Sequence, residues 1–211
     1  MENQWSKEEL AHISGQTVGH YQENAIPFKE GTWDHDVSQN RQALLQAIEG
    51  SHRPHILDFG CGPGRDLVAF MEQGVSVAGL DGAAAFCEMA REASKATVYH
   101  QDFLALDLPE EHFDGIFANA TLFHIPSTQI SRVLGELRDA LKPHGVLFSS
   151  NPRGEDQEGW NGDRYGTYYR PETWTRLLED AGFQWVREYY RPPGKPRVEQ
   201  PWFASVWRKK S

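Results

Sequence analysis

A glycine-rich loop between a short apolar segment and a helical segment is the strongest constraint on how this chain folds. The segment His55-Ile-Leu-Asp-Phe59 has the composition of a buried strand, and Gly60, Gly62 and Gly64 follow it at alternate positions. Glycine lets the backbone turn sharply and lets a ligand approach it closely. Such loops leave the carboxyl ends of strands in open α/β sheets, which is where these sheets bind ligands.

The chain around this loop alternates between short apolar strands and amphipathic helices. Strands are predicted over residues 55–59, 75–80, 97–101, 113–119 and 145–150, and helices over 66–73, around 86–93, around 130–141 and over 171–181. This alternation predicts an α/β fold, with a mostly parallel sheet covered by helices on both faces. Two last strands, 183–190 and 202–207, are expected to form an antiparallel hairpin at the sheet edge.

Two segments fall outside the alternation. Residues 1–40 are expected to form an N-terminal arm that is irregular or loosely helical, and Asp36-Val-Ser-Gln39 resembles a capping box for the next helix. Within the main domain, residues 41–211, the segment 151–170 is rich in Gly, Asn, Asp and aromatic residues and is expected to be a long loop. Loops of this length in a compact domain are more often functional or disordered than idle, and we expect this one to form a wall of the acceptor site.

Charge and cysteine content exclude several classes of function. The formal net charge is −9, and the terminal Arg208-Lys-Lys210 is too short to supply the basic face that nucleic-acid binding requires. No apolar segment has the length of a membrane span or the character of a secretory signal, so neither is expected. The acidic balance favours a small or cationic ligand over a polyanion, so we expect a small-molecule partner. Cys61 and Cys87 give no disulfide framework, so we expect a cytoplasmic protein.

Acidic residues accompany the ends of the first three predicted strands. Asp58 adjoins the glycine loop, where a carboxylate opposes a pyrophosphate and favours an ammonium group. Asp81 stands 81 − 60 = 21 positions after Gly60, where an acid can accept hydrogen bonds from both hydroxyls of a ribose. The carboxylate of Asp102, the residue before Phe103, can accept a hydrogen bond from the amino group of adenine. Together these acids predict a site for a nucleoside that carries a positive charge.

An ordered set of motifs resembles the class I S-adenosylmethionine (SAM)-dependent methyltransferases. The motifs are Ile56-Leu-Asp-Phe-Gly-Cys-Gly-Pro-Gly64, Gly79-Leu-Asp81, Gln101-Asp-Phe103, Phe113-Asp114, Leu122-Phe-His-Ile-Pro126, Leu141-Lys-Pro-His-Gly145 and Leu178-Glu-Asp-Ala-Gly-Phe183. The resemblance spans roughly residues 20–208 and implies a Rossmann-like seven-stranded sheet with one reversed strand. One departure is His144, where the family usually has glycine, and an altered turn is expected there.

The resemblance implies a site for SAM and its product S-adenosylhomocysteine (SAH), with the N-terminal arm as a lid. Cofactor contacts are expected from Tyr21, Thr32, Asp58, Gly60, Gly62, Gly64, Asp81, Gly82, Asp102, Phe103 and Asn119. Acceptor contacts are expected from His20, Phe28, Trp33, His35, Arg153, Tyr165, Tyr168 and Arg170. In the segment 151–170, Arg153, Arg164 or Arg170 can hold a carboxylate through paired hydrogen bonds.

Candidate catalytic residues are few, because the sulfonium group already makes the methyl group reactive. A general base is needed only for an acceptor that is protonated at neutral pH. The candidates are His124, Tyr165 and Asn119, and for His124 a structural function is the alternative. No metal is expected, because the spacing of the only candidate set (His20, His35, Asp36 and His124) is not typical of a metal site.

A finer resemblance concerns the acceptor. Thr32-Trp-Asp-His-Asp-Val-Ser-Gln-Asn40 and Ser149-Ser-Asn-Pro-Arg-Gly154 resemble stand-alone methyltransferases of ovothiol- and ovoselenol-type pathways, which implies an imidazole nitrogen of 5-thio- or 5-selenohistidine as acceptor. Two alternatives to this function are left open by the sequence, namely O- or S-methylation of another metabolite and a SAM-binding module without catalysis. Arg65 replaces the third glycine of a dinucleotide loop, which disfavours a nicotinamide enzyme. An aminopropyl transferase would need an acid-rich polyamine site that the sequence does not show.

Overall fold

The computed structural model describes residues 5–210. The helices are α1 (Lys7–Glu23), α2 (Ala25–Thr32), α3 (Ser38–Leu45), α4 (Arg65–Glu72), α5 (Ala84–Ser94), α6 (Ser127–Ala140) and α7 (Pro171–Asp180). The strands are β1 (His55–Phe59), β2 (Ser76–Asp81), β3 (Thr97–His100), β4 (Phe113–Asn119), β5 (Leu141–Pro152), β6 (Gln157–Asn161), β7 (Arg164–Tyr168), β8 (Phe183–Arg191) and β9 (Trp202–Lys209). None of the helices within this range combines the length and apolar character needed to cross a membrane.

Seven strands form one sheet in the order β3-β2-β1-β4-β5-β9-β8. The pairs from β3 to β5 are parallel, whereas β9 runs antiparallel to both of its neighbours. The prediction of a mostly parallel seven-stranded sheet with a C-terminal antiparallel hairpin is therefore confirmed. The sheet order reverses between β1 and β4, and ligands of open α/β sheets bind beside such a reversal.

Apolar side chains cover both faces of the sheet. On one face, strand residues such as Leu57 pack with Leu134 of α6 and Trp174 of α7. On the other face, Ile56 packs with Leu44 of α3 and with the neighbouring strands. Because adjacent strand residues point to opposite faces, the run Ile56-Leu57 must be apolar at consecutive positions, which is why β1 is recognisable in the sequence.

The N-terminal arm is more regular than the sequence predicts. Helices α1 and α2 cover most of it, and Ser6 forms a capping box with Glu9 at the start of α1. The predicted capping box at Asp36-Val-Ser-Gln39 is wrong, because Val37 is the N-cap of α3 and no side chain caps that helix. The Asp36 carboxylate instead accepts a hydrogen bond from the backbone N–H of Ser38 within a turn.

The segment 151–170 is also ordered, and the expectation of a long loop is wrong. Strands β6 and β7 pair antiparallel as a separate hairpin that turns at Gly162, whose φ is +61°. The hairpin lies against α1, where the backbone N–H of Tyr165 donates to the Thr17 hydroxyl over 3.0 Å.

The turn before the main part of β5 contains His144, at the position where the resemblance in sequence leads us to expect glycine. His144 has a φ of +63°, in the left-handed region that glycine adopts most easily.

Candidate functional site

A cavity of about 690 Å³ lies at the carboxyl ends of the central strands. Its walls come from the glycine loop after β1, the ends of β2 and β4, and helices α1 and α2 of the N-terminal arm. One side chain of the β6–β7 hairpin, Arg164, also reaches it. The cavity therefore lies where the glycine loop predicts a ligand site, and the arm covers it.

The three glycines of the loop have different surroundings. Gly60 has a φ of +78°, and a Cβ there would lie 2.4 Å from the Thr121 side chain. Gly64 has a φ of +93° and packs against α5, with a would-be Cβ only 2.8 Å from Ala90 Cα. Gly62, with a φ of +52°, faces the cavity, and its nearest neighbour would be Phe28 at 3.8 Å. Of the three, Gly62 leaves the most space for a ligand beside the backbone.

Asp81 ends β2 at the floor of the cavity, where it is 9% exposed. Its carboxylate accepts one hydrogen bond from Gly62 N–H and one from Ala83 N–H, each over 2.9 Å. Burial raises the pKa of Asp81 to about 6, although these backbone donors act in the opposite direction. A carboxylate can accept about four hydrogen bonds, so Asp81 holds the loop and keeps acceptor capacity for a ligand.

Asp58 is a buried carboxylate with an unused oxygen. It is 3% exposed, lines the cavity, and its Oδ2 has no hydrogen-bond partner. Burial, reinforced by the negative charge of Asp66, raises the pKa of Asp58 well above its ordinary value. Asp66 itself is paired with Arg41 and Arg65. Because an unsatisfied buried carboxylate is costly, Asp58 is the place in this cavity where a cationic ligand group would be stabilised most.

His124 follows β4 and is bonded through both ring nitrogens. Its Nδ1 lies 2.7 Å from the backbone carbonyl of Tyr165, and its Nε2 lies 2.8 Å from the Tyr21 hydroxyl. A carbonyl only accepts, so Nδ1 carries the proton and Nε2 accepts from Tyr21. Burial lowers the pKa of His124 to about 4. The imidazole is thus neutral at physiological pH, and its lone pair is already engaged.

Aromatic rings form the wall between the arm and the sheet. The ring of Tyr21 lies 5.6 Å from that of Phe28, and the rings of Phe28 and Phe86 lie 5.2 Å apart. All three residues line the cavity. Centroid distances of this size are typical of favourable edge-to-face and tilted contacts, and such a wall suits a planar ligand.

The structure brings twelve of the predicted site residues together around the cavity. They are Tyr21, Phe28, Thr32, His35, Asp58, Gly60, Gly62, Asp81, Gly82, Phe103, Asn119 and His124. Eight others do not line it, namely His20, Trp33, Gly64, Asp102, Arg153, Tyr165, Tyr168 and Arg170.

Two expected cofactor contacts and two expected acceptor contacts have other partners. Gly64 provides the close approach between α4 and α5 described above. Asp102 is exposed, and its carboxylate accepts from the Ser14 hydroxyl over 2.7 Å and from Leu104 N–H over 2.8 Å. Trp33 lies beneath the Lys29 ammonium at 5.0 Å, and His20 lies 3.9 Å from the exposed Asp163 carboxylate.

The other corrections concern the segment 151–170. Arg153 donates to backbone carbonyls of the loop that joins β8 and β9, and Arg170 pairs with Glu155 on the surface. Tyr165 is only 2% exposed and packs against Trp160, while Tyr168 packs beside Phe123. Side chains of a strand point alternately to its two faces, so Arg164 and Tyr165 of β7 cannot both face the cavity.

Sequence reasoning missed two features of the site. Phe86, in the first turns of α5, joins the aromatic wall, and Asn40 of α3 donates to the Asn119 side chain over 2.8 Å. Asn40 is 1% exposed, although most asparagines are exposed. The only sequence signal for either residue is position, since Phe86 follows the acid at the end of β2 and Asn40 lies in the first turn of a helix.

The set of His20, His35, Asp36 and His124 does not assemble into one cluster. Within residues 5–210, no group of three or more His, Cys, Asp or Glu side chains is arranged to hold a metal ion. His35, Asp36 and His124 line the cavity, whereas His20 faces Asp163.

Comparison with known proteins finds similarity over the central part of the chain. Residues 56–145 match the methyltransferase domain family. A sterol 24-C-methyltransferase of Yarrowia lipolytica is 27% identical over 179 residues, which are 72% of this chain and 45% of that protein. A trans-aconitate 2-methyltransferase of Paracidovorax citrulli is 34% identical over 113 residues, 52% of this chain and 43% of that protein. The chain thus spans less than half the length of these curated relatives.

Solved structures share the fold over the whole chain. The 1,6-didemethyltoxoflavin-N1-methyltransferase of Burkholderia thailandensis, solved with its acceptor and SAH, has a TM-score of 0.77 and 20% identity, covering 100% of this chain and 94% of that one. The [4+2]-cyclase SpnF has a TM-score of 0.71 and 17% identity, covering 94% of this chain and 96% of that one. The sheet order and the match over residues 56–145 thus show a methyltransferase-like domain in this chain, with the fold of these solved structures.

Proposed function

We propose that this protein is an enzyme that transfers a methyl group from SAM to a small molecule. The observation that supports this most is the pair of buried carboxylates, Asp58 and Asp81, which line the same cavity as Gly62 of the glycine loop. SAM presents an ammonium group, a ribose diol and an adenine in one molecule, and each has a matching group here. The net charge of −9 favours a small acceptor over a polyanion. Cys61 and Cys87 are both free thiols, which fits a reducing cytoplasm, and both points are part of the proposal.

The cofactor fits the residues that the structure provides. The unpartnered Oδ2 of Asp58 can accept from the ammonium group, which would relieve the cost of its burial. The remaining acceptor sites of Asp81 can receive both ribose hydroxyls. Phe103, on the cavity wall after β3, can pack against the adenine. Asp102 is left out of this assignment, because it is exposed and does not line the cavity.

The protein's contribution to the reaction is positioning and exclusion of water. The sulfonium of SAM supplies an activated methyl group, so the acceptor must be held in line with the bond that breaks. Helices α1 and α2 cover the cavity, and the Tyr21–His124 hydrogen bond fastens α1 across it. We assign His124 as a positioning residue for Tyr21, because its lone pair accepts the tyrosine hydroxyl. Such a site suits an acceptor whose own lone pair is available at neutral pH.

A planar nitrogen heterocycle is the acceptor class that the aromatic wall supports best. Tyr21, Phe28 and Phe86 offer ring faces and edges to a flat ligand. The imidazole nitrogen of 5-thio- or 5-selenohistidine is one member of this class and remains part of the proposal. The relatives named above act on a sterol, trans-aconitate and a didemethyltoxoflavin by their names, so nitrogen, oxygen and carbon acceptors all belong in the test.

The test is release of SAH with a named panel of acceptors. The purified chain is incubated with SAM whose methyl group is deuterated, and with 5-thiohistidine, L-histidine or trans-aconitate, and methylated products are detected by mass spectrometry. We expect SAH and a labelled product with at least one heterocyclic acceptor, and neither with Asp81→Asn. Binding of SAM without SAH release from the panel or from a mixed metabolite extract would instead indicate a non-catalytic SAM-binding module.

A further inference from the structure

Arg164 is the part of the β6–β7 hairpin that enters the cavity. Within the fully described segment 151–170, it alone lines the cavity, and its side chain is half-buried. It is the first residue of β7, and the next residue, Tyr165, faces the opposite side of the strand and packs under the arm. The hairpin thus holds one guanidinium group against the ligand space on a rigid element.

The guanidinium group of Arg164 lies beside the Tyr21–His124 pair. Its Cζ is 5.9 Å from the centroid of the Tyr21 ring. Burial raises the pKa of Tyr21, and the hydrogen bond and positive charge of Arg164 act against that rise. Its charge also contributes to the lowered pKa of His124. Both effects place the cation at the wall where His124 and Tyr21 meet the cavity.

No carboxylate neutralises this charge. Among the ion pairs of residues 5–210, Asp66 serves Arg41 and Arg65, and Glu155 serves Arg170, but none includes Arg164. The interactions that its side chain makes are with the Tyr21 ring and hydroxyl and with the neutral His124. A half-buried guanidinium with unused donors, aimed into a cavity, favours a planar anion that accepts two parallel hydrogen bonds.

The carboxylate of SAM itself is not the best match for this position. Arg65 lowers the pKa of Asp58, the expected ammonium contact, whereas the Arg164 guanidinium lies over the Tyr21 ring and lowers the pKa of His124. Since the ammonium and carboxylate groups of an amino acid share one carbon atom, the SAM carboxylate belongs near Asp58 and Arg65. Arg164 faces the part of the cavity that this assignment leaves to the acceptor.

We propose that Arg164 is the anion-binding residue of the acceptor site and that the acceptor carries a carboxylate. The guanidinium group holds the carboxylate through two hydrogen bonds and thereby turns the nucleophilic atom towards the methyl group. This inference rests on the proposed function and narrows its acceptor from any flat small molecule to an anionic one.

The test compares matched acids and amides as ligands of the SAH-loaded protein by calorimetry at pH 8. The probes are imidazole-4-acetate with its amide and benzoate with benzamide, which differ only in the carboxylate. We expect at least one acid to bind about tenfold more tightly than its amide to the wild type. This preference is lost in Arg164→Gln and kept in Arg176→Gln, which removes an exposed arginine of α7 outside the cavity.

The affinity for SAH separates the possible outcomes. Equal SAH affinity in all three proteins, with a loss of acid preference confined to Arg164→Gln, supports the inference. If neither acid binds the wild type more tightly than its amide, or if Arg164→Gln keeps the preference, the inference is overturned. A wild type that does not bind SAH contradicts the proposed function, and the acceptor assignment falls with it.

Discussion

The hydroxyl of Tyr21 donates a hydrogen bond to Nε2 of His124 over 2.8 Å and so connects helix α1 to the segment after β4. The same imidazole donates from Nδ1 to the backbone carbonyl of Tyr165, which belongs to the β6–β7 hairpin. One histidine ring therefore joins the arm, the sheet and the hairpin, the three parts that enclose the cavity. The Tyr21–His124 hydrogen bond joins two uncharged side chains, so it can be tested by removing the Tyr21 hydroxyl oxygen alone.

The change Tyr21→Phe tests this connection. It leaves the acceptor Nε2 of a buried imidazole without its donor, which we expect to cost about 1–3 kcal/mol of unfolding free energy. The closed arm becomes less populated, so the rate of methyl transfer falls by more than the affinity for SAM. Denaturant titration and turnover measured on the same preparation check both statements. Unchanged stability together with an unchanged rate would contradict the structural assignment.

His124 predicts a specific dependence of stability on pH. Its ordinary pKa of 6.5 falls to about 4 in the folded chain, so the unfolded state takes up this proton first. The stabilisation is present above pH 6.5 and is lost as the pH falls through about 4, up to roughly 3 kcal/mol. Thermal denaturation of wild type and His124→Asn over this range should show a smaller pH effect in the variant. Parallel curves would contradict the lowered pKa.

Gly50, which lies outside the glycine loop, is a matched control for Gly62 within it. Both have positive φ angles, +52° and +73°, and a Cβ at Gly50 would meet nothing within 4 Å. Each change to Ala therefore carries the same backbone penalty of about 1–2 kcal/mol. Only Gly62→Ala adds a group to the ligand space, so it alone should weaken SAM binding, and Gly62→Val should abolish it. Equal SAM affinities of Gly62→Ala and Gly50→Ala would contradict this placement.

Asp81 should make SAM affinity depend on pH. The ribose hydroxyls donate to the ionised carboxylate, and burial raises the pKa of that carboxyl to about 6 in the unliganded protein. Affinity should therefore rise with pH up to about 6 and level off above it, because binding below that value requires loss of a proton. Asp81→Asn should lose the part of this dependence that is centred near pH 6, together with at least about tenfold in affinity. Asp81→Asn should also lower the free energy of unfolding, because the Asp81 carboxylate accepts hydrogen bonds from Gly62 N–H and Ala83 N–H.

The sequence predicts the central sheet well because its strands are buried on both faces. The bounds of β1 and β4 agree with the predicted residues 55–59 and 113–119, and β1 is apolar apart from His55 and Asp58, as β4 is apart from Asp114, Gly115 and Asn119. The acids and glycines at their carboxyl ends lie on the cavity because strand ends in a parallel sheet meet at one edge.

The arm and the hairpin were harder to predict because tertiary contacts determine them. Helix α1 buries only Ile13 and Thr17, so its polar sequence has little helical periodicity. Strand β7 depends on pairing with β6 and on packing against α1, and this arrangement leaves Arg164 on the cavity, whereas Arg153 and Arg170 have partners elsewhere. Side-chain direction in a short hairpin cannot be read from residue types alone.

Direct binding of SAM and SAH to the purified chain tests the central claim most simply. Isothermal titration calorimetry should show one site for each ligand, with binding lost in Gly62→Val and weakened at least about tenfold in Asp81→Asn. If neither ligand produces detectable heat or competes with the other, the cavity between Asp58 and Asp81 does not hold an adenosyl sulfonium, and the account is wrong.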